Sequence, residues 1–597
     1  MKLNHSKISS LAIVFIFLLF TLVCFKYYLQ HTLEGNIDNH ILAGEMFGVP
    51  DAIAQHGVKP MYYGNQTGWD GQFYYYMSND LLGRTDAPAH FDANAYRYQR
   101  IGLAAYTAAI SKVLGRSWVS PAFYFFNYLL LLSIATYFGT KILSARGTSP
   151  WWILLWSLSV GTQVTLFSAL PDAAADAFLI IGLWGVISRR NIIVVFAMTL
   201  SALSREVYLI FPLMMFAMTL FVAVKRQRLF DDFSVRNCVN LTVSHAKCSW
   251  LLIPVIVTLG WRMYVERHFH VVPTSQAYGI LGFPLNAWFS YFKSGLLGHH
   301  LLVAPGWPSY AEAASLLYFL LATLLIIALS TRAVISNLTN YNDEFSGVAS
   351  ASLIIGLMYL CFGPTVIMHY TGYLKAASLF SFLIPLFFVY LKNKNNTYRF
   401  IALFLMLGLV GTTSYNLLSR VLANQPHSIA QNEKCYGKPV LLRNWTVTPA
   451  LFDFYEPIVF SQAGNSDQFI RQGWFNTEGP GRWSIGDYAE VSVPISAAVA
   501  NANRVGLNMD FIASPLFDKP RPVKLFINDE LISTFTPHTG FNSYTFGFSP
   551  KVKSLLHLRF DFGSVPPLSS VTSIPDHRRL GIFVNYMKIV EAPLCVN

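Results

Sequence analysis

The stretch Gly68 to Asp80, GWDGQFYYYMSND, holds two carboxylates, two amides and three consecutive tyrosines. Asp70 stands among Trp69, Phe73, Tyr74, Tyr75 and Tyr76. Apolar surroundings disfavour the ionised form, so a carboxylate placed there can titrate high and take a proton from a hydroxyl as a general base. Asp80, at the end of the stretch, is the rival base. Aromatic faces such as Tyr75 stack on sugar rings, and the Gln72 amide can bond hydroxyls. An interfacial aromatic belt with a solvated aspartate would have the same composition. Gly68 and Gly71 on either side of Asp70, however, point to a tight backbone that a belt does not need.

Other ionisable residues stand in apolar sequence. They are Asp172 after Pro171, Arg205-Glu206 after Ser204, and His369 and Lys375 in MHYTGYLK, with Arg97 and Arg100 in YRYQR. Charges near membrane ends are costly and are functional candidates by default. Arg205 and Glu206 could also be a structural ion pair at a helix end. No P-loop, Rossmann glycine pattern, HExxH or serine elbow competes. His299 and His300 are adjacent, so they cannot copy the i, i+4 spacing of helical metal ligands.

The elements that must position these residues are membrane helices. The 597 residues are 53% hydrophobic and only 12% charged, about half the charge of a soluble chain. Runs near the ~20 residues needed to cross a bilayer lie at 9–28, 119–141, 150–169, 173–188, 190–204, 207–224, 249–265, 313–331, 346–362, 373–391 and 399–418. Residues 101–115 could be a further span or a surface helix. If they do not cross, Lys141 to Arg146, Arg189-Arg190, Lys225 to Arg228, Arg332 and Lys392 to Arg399 all fall in the cytoplasm, as the positive-inside rule favours. Eleven spans with a cytoplasmic N-terminus follow, and the loop 30–118, Asp172, Arg205-Glu206 and His369 to Lys375 then share the outer face. The run Leu11 to Phe25 is followed by FKYYLQ and by no small-residue cleavage site, so it reads as an uncleaved first helix. The net charge of +12 belongs to those loops, and no basic-aromatic module for nucleic acid accompanies it.

From about residue 430 the pattern changes. YAEVSVPI, RVGLNMDFI, VKLFIND, LHLRFDF and LGIFVNYMKIV alternate between Gly, Pro, Asn and Asp turns, which predicts an all-β sandwich. The domains are therefore 1–425, helical, and 430–597, β. Of the six cysteines, Cys24 and Cys361 lie in apolar helices, and Cys238 and Cys248 lie in a basic loop without metal-site spacing. Cys435 and Cys595 bracket the β region. They could close its ends as a disulfide if it is exported, or be unrelated thiols.

GWDGQFYYYMSND followed by YRYQRIGL, together with LPDAAADAF and LSRE, resembles a bacterial branch of the GT-C superfamily of membrane glycosyltransferases. That branch has YDGQFYY before YRYQRILYP, where this chain has Trp69 and Ala104-Ala105. The resemblance covers residues 9–225 by motif and the later spans by layout. In kind the chain is similar to O-antigen-modifying enzymes that use polyprenyl-phosphate sugars. GWFNTEGPGRWS and DHRRLGI resemble a β-sandwich appended to such enzymes. There Trp474, Arg482 and Trp483 could contact glycan, or be core residues with an Arg482–Glu478 pair.

The resemblance implies an inner-membrane enzyme with a periplasmic β domain. It would move a sugar from a polyprenyl-phosphate donor to a cell-surface glycan such as lipopolysaccharide O-antigen, with inversion. Asp70 is then the base. Arg205 and Lys375 meet the departing phosphate, backed by Arg97 and Arg100, and Asp172, Glu206 and His369 orient those cations or bind sugar. No cofactor is required, although some relatives use a divalent metal. A transporter or flippase of a lipid-linked sugar is the alternative. It would place polar groups at the midplane of repeated halves, and no repeat is visible.

Overall fold

The computed structural model describes residues 2–226, 249–422 and 457–591, together with 427–428, apart from breaks at 45–46, 60, 63–67, 277–279, 298–306, 341–344, 392–394, 461–465, 479–480, 520, 539, 552–553 and 571–577. Cys238, Cys248, His299, His300, Cys435 and Cys595 lie outside the described residues. The chain divides into two compact units. One comprises Met1–Leu42, Pro50–Val58 and Trp69–Gln425, and the other comprises Ala43–Val49, Lys59–Gly68 and Pro426–Asn597.

The first unit is helical, and its length and apolarity mark a multi-pass membrane protein. Ser9–His31, Pro121–Ala145 and Trp307–Asn337 are long and apolar enough to cross a bilayer. Two bent pairs raise the number from 3 to 5 among the described residues, and Asn191–Ser204, Glu206–Val222 and Ser346–Tyr359 are shorter apolar helices. The run 150–169 does not form one span. It breaks into Pro150–Ile153, Leu154–Ser157 and Val160–Phe167, because Ser159 starts a new helix by accepting the Thr162 amide at 3.2 Å. The run 373–391 is likewise divided, into Tyr370–Ala376 and a helical stretch from Phe380, bent by 40°. Gly102–Val113 has 12 residues, about 18 Å at the α-helical rise, and is well short of a hydrocarbon core.

The sharpest bend, 117°, separates Val160–Phe167 from Asp172–Ile187. A broken helix inside an apolar bundle leaves backbone groups that must find partners. Tyrosines on the neighbouring helix Pro121–Ala145 supply them. Tyr128 donates its hydroxyl to the Leu170 carbonyl at 2.7 Å and accepts the Ala174 amide at 3.0 Å. Tyr124 donates to the Ala169 carbonyl at 3.3 Å.

That bend receives the stretch read first in the sequence. Gly71–Asn79 is a helix buried from Gly71 to Ser78. A Cβ on Gly71 would lie 1.8 Å from the Ser168 carbonyl oxygen, so only glycine lets the helix start there. At its other end Asn79 clasps Val119, accepting its amide at 2.9 Å and donating to its carbonyl at 3.2 Å. Tyr75 donates to the same carbonyl at 2.9 Å. A second close approach sets the next helix. A Cβ on Gly102 would lie 2.4 Å from the Leu200 carbonyl oxygen, so Gly102–Val113 starts directly against the end of Asn191–Ser204.

In the second unit, a six-stranded and a four-stranded antiparallel sheet share one core. In the larger, Leu580–Glu591 pairs with Val505–Ala513 on one side and with Gly481–Ile485 and Pro457–Val459 on the other. In the smaller, Leu555–Asp561 lies between Tyr488–Pro494 and Val523–Ile527. Val505, Leu507, Met509 and Phe511 pack with Val491, Leu525, Leu558 and Phe560 between the sheets. Burial of each such side chain stabilises the fold by roughly 1.5–3 kcal/mol.

Gly71→Ala should destabilise the helical unit by about 1–3 kcal/mol, the usual range for forced overpacking, because its neighbour is backbone and cannot rotate away. A lower thermal midpoint in detergent, beside an undiminished midpoint for Gly260→Ala, is the expected result. Gly260 lies within the helix Ile253–Phe269 and has open space where a Cβ would go, so alanine there meets neither a clash nor backbone strain.

Candidate functional site

Asp70 immediately precedes the buried helix Gly71–Asn79, so the start of that helix fixes where its carboxylate stands. Protein crowds it on several sides, yet 49% of its side chain stays exposed. Its Oδ2 accepts from Arg97 Nη1 at 3.0 Å. The rest of the Arg97 guanidinium is held by Asp92, with Nε at 2.9 Å and Nη2 at 2.6 Å from its oxygens. Arg97 also lies 5.0 Å from the centre of the Phe73 ring and 5.5 Å from that of Tyr96. It is thus a buried cation gripped by two carboxylates and lined by aromatic faces.

This arrangement reverses the titration expected from composition. Crowding pushes the Asp70 carboxyl upward, but the Arg97 charge, that of Lys375, the Arg97 hydrogen bond and the Arg100 charge together hold it below the ordinary carboxylate range. Phe73 and Tyr74, two of the aromatic residues that suggested a high value, instead face the cation that lowers it.

Asp80 is differently employed. It is buried, and its oxygens accept the amides of Arg84 at 3.0 Å and Thr85 at 2.9 Å and the Thr85 hydroxyl at 2.7 Å. It ends the helix and shapes the turn that follows. Gln72 and Tyr75 are fully buried, with the Tyr75 hydroxyl committed to Val119.

The other cations divide into paired and unpaired. Arg100 makes a bidentate pair with Glu206, Nε at 2.8 Å and Nη2 at 2.7 Å, and lies 4.6 Å from the centre of the Tyr96 ring. Glu206 therefore pairs with Arg100 and not with its neighbour Arg205. Arg205 is buried, donates to the Ala376 carbonyl at 2.7 Å and lies 3.8 Å from Asp172. Among the described residues the Lys375 ammonium makes no hydrogen bond or close ion pair, although its charge acts on Asp70. His369 turns Nδ1 to the Thr371 hydroxyl at 2.7 Å and Nε2 toward Glu312 at 3.6 Å.

Three residues that matter here were not singled out from the sequence. Asp92 is the second anchor of Arg97. Asp176, one turn after Asp172, is fully buried and accepts from Trp156 at 2.9 Å, Tyr208 at 2.5 Å and Ser378 at 2.5 Å. Its spacing from Asp172 was a usable signal, since i and i+4 share a helix face. Glu312 is the third, the single acidic residue of the apolar helix Trp307–Asn340, which is itself a reason to look.

In the β unit, Trp474 belongs to the core and donates its indole N–H to the Glu490 carbonyl at 2.7 Å. Arg482 is buried and pairs with Asp467, and the side chain of Glu478 lies outside the described residues. Trp483 is partly exposed, with its ring centre 5.1 Å from that of Phe583. Among the described residues no three His, Cys, Asp or Glu side chains come together as a metal ion would need.

No family model matches the chain, and no curated protein does. Among solved structures, the arabinosyltransferase EmbB from Mycobacterium smegmatis is similar over 93% of this chain, at 8% identity and a TM-score of 0.20. The chain spans 64% of the length of that structure.

In chemical terms, an exposed, ionised carboxylate shares its surroundings with an ammonium that has no direct partner among the described residues. Because the folded Asp70 value lies below the ordinary one, the stability from its ion pair is present above pH ~4 and is lost as pH falls through the folded value. In Arg97→Gln the upward push of crowding remains while its main opponent is gone. The titration of the Asp70 carboxyl, followed by infrared spectroscopy and assigned by its loss in Asp70→Asn, should therefore move to higher pH. No movement would contradict the pairing.

Proposed function

We propose that the chain is an inverting glycosyltransferase of the GT-C kind. On this reading it lies in the bacterial inner membrane as a multi-pass protein, with a cytoplasmic N-terminus and residues 430–597 in the periplasm. It transfers a sugar from polyprenyl phosphate to a cell-surface glycan, such as lipopolysaccharide O-antigen, on the outer face. The observation that carries this reading is the charge arrangement around Asp70, where Arg97, Arg100 and Arg205 are engaged and Lys375 is not.

The acceptor hydroxyl gives its proton to Asp70 as its oxygen bonds to the anomeric carbon. The bond from that carbon to the phosphate oxygen breaks on the opposite side, and its electron pair leaves with polyprenyl phosphate. The leaving group gains negative charge, which an ammonium stabilises without giving up a proton. Lys375 is free for that contact, with the Arg205 guanidinium on the same stretch of backbone. A carboxylate held at low pKa is a weak base, and it accepts the proton once the hydroxyl has been acidified by bond formation. Such late transfer suits a reaction in which charge develops early at the sugar. The chain holds no cofactor in this scheme.

The broken helices near Asp172 and Lys375 favour a second reading, because transporters bind ionic substrates at interrupted spans. A transporter of a lipid-linked sugar has no use for a base, so the two readings part at Asp70. With purified protein in nanodiscs and polyprenyl-phosphate hexose, Asp70→Asn should lower transfer by about 10²–10⁴-fold. Asp80→Asn should instead lower the thermal midpoint and leave the remaining folded protein active. Lys375→Ala should lower transfer and weaken donor binding together. Sugar movement that survives Asp70→Asn without loss would favour the transporter.

A further inference from the structure

We infer that Glu312 is a positioning residue, the anchor of the short helix that presents Lys375. The role given to Lys375 rests on the function proposed above, but the anchoring itself does not. Glu312 is almost completely buried, and a buried carboxylate is tolerated only where its oxygens are satisfied. The Tyr370 amide donates to both oxygens, at 3.1 and 3.4 Å. The Tyr373 hydroxyl reaches Oε2 at 3.2 Å, and the Tyr415 hydroxyl reaches Oε1 at 3.3 Å. His369 Nε2 lies 3.6 Å from Oε1. Among the described residues these partners lie on 369–373 or on Tyr415, and Glu312 makes no hydrogen bond or ion pair with Asp70, Arg97, Arg100, Arg205 or Lys375.

The anchored helix, Tyr370–Ala376, has 7 residues, too few to be stable on its own. It is tied at both ends. Glu312 holds the beginning, and the Tyr370 hydroxyl adds a bond to Asn416 at 2.9 Å. At the far end the Ala376 carbonyl accepts from Arg205 at 2.7 Å and from Tyr359 at 2.5 Å. Ser378 donates to Asp176 at 2.5 Å. Lys375 sits next to the far tether with its ammonium unbound, so the helix and not a side-chain partner determines where that charge stands. If the first tether is removed, the helix can swing about the second and take Lys375 with it.

Glu312→Gln keeps the volume but replaces one acceptor oxygen with an NH2 group, which donates and cannot accept from a tyrosine hydroxyl or a backbone N–H, so it spares packing while weakening the grip. Two measurements test the role. The first is the rate at which a water-soluble maleimide labels Lys375→Cys, corrected for the chain without the added cysteine. In Glu312→Gln this should rise about tenfold, as expected for one lost buried interaction. The second is the binding of polyprenyl phosphate to the full chain in nanodiscs. Glu312→Gln and Lys375→Ala should each weaken it, and the double variant should bind no worse than Lys375→Ala alone, the non-additivity of residues acting through one group.

Unchanged labelling, or losses that add in the double variant, would overturn the proposal. A lower thermal midpoint with unchanged labelling would also overturn it, since that is a merely structural role. Faster labelling in a protein that binds no polyprenyl phosphate even as wild type would uphold the anchoring and remove the glycosyltransferase reading instead.

Discussion

Everything around the candidate site follows from the cost of placing charge in an apolar helical bundle. A buried guanidinium or carboxylate without a partner loses several kcal/mol of hydration, so the charges here are matched in pairs. Arg97 lies between Asp70 and Asp92, Arg100 on Glu206, and Arg205 between Asp172 and a carbonyl. Pairing of this kind leaves two features open to a ligand, the exposed side of Asp70 and the Lys375 ammonium. The Asp70–Arg97 contact is the hinge of the arrangement. It holds the carboxylate ionised, fixes its direction, and neutralises a cation that would otherwise compete with Lys375 for an anionic ligand.

The backbone contributes as much as the charges. Asp70 stands where it does because Gly71 lets a helix begin against the Ser168 carbonyl, at the bend between two helices. Arg100 meets Glu206 because Gly102 allows another helix to start against Leu200 and Ser204. Tyrosines then satisfy the groups exposed by the bend. In a bilayer, irregular backbone is tolerated where it is buried in protein or lines a polar space. Here the bend supports the helix that carries Asp70.

Much of this was legible from local pattern. The strands YAEVSVPI and LGIFVNYMKIV appear at 488–494 and 580–591, because alternation over half-buried strands is a short-range signal. The tight backbone around Asp70 could be read from its two glycines. Long-range pairing could not. Glu206 follows Arg205 in sequence but binds Arg100, over a hundred residues away, and Arg482 binds Asp467. The sign of the Asp70 shift was misread for the same reason, since its aromatic neighbours are visible in sequence while the guanidinium that Phe73 and Tyr74 face is not. Hydropathy could not show that 150–169 is broken, because Ser159 is a cap only in three dimensions. Glu312 was passed over because its partners lie some sixty and a hundred residues further on.

The most direct test of the charge arrangement is a cryo-EM map of the protein in nanodiscs with polyprenyl phosphate bound. The account predicts phosphate density against the Lys375 ammonium, the Asp70–Arg97 pair intact, and an open space for one sugar ring between phosphate and carboxylate. Phosphate bound elsewhere, or Arg97 drawn off Asp70 to meet it, would contradict the account.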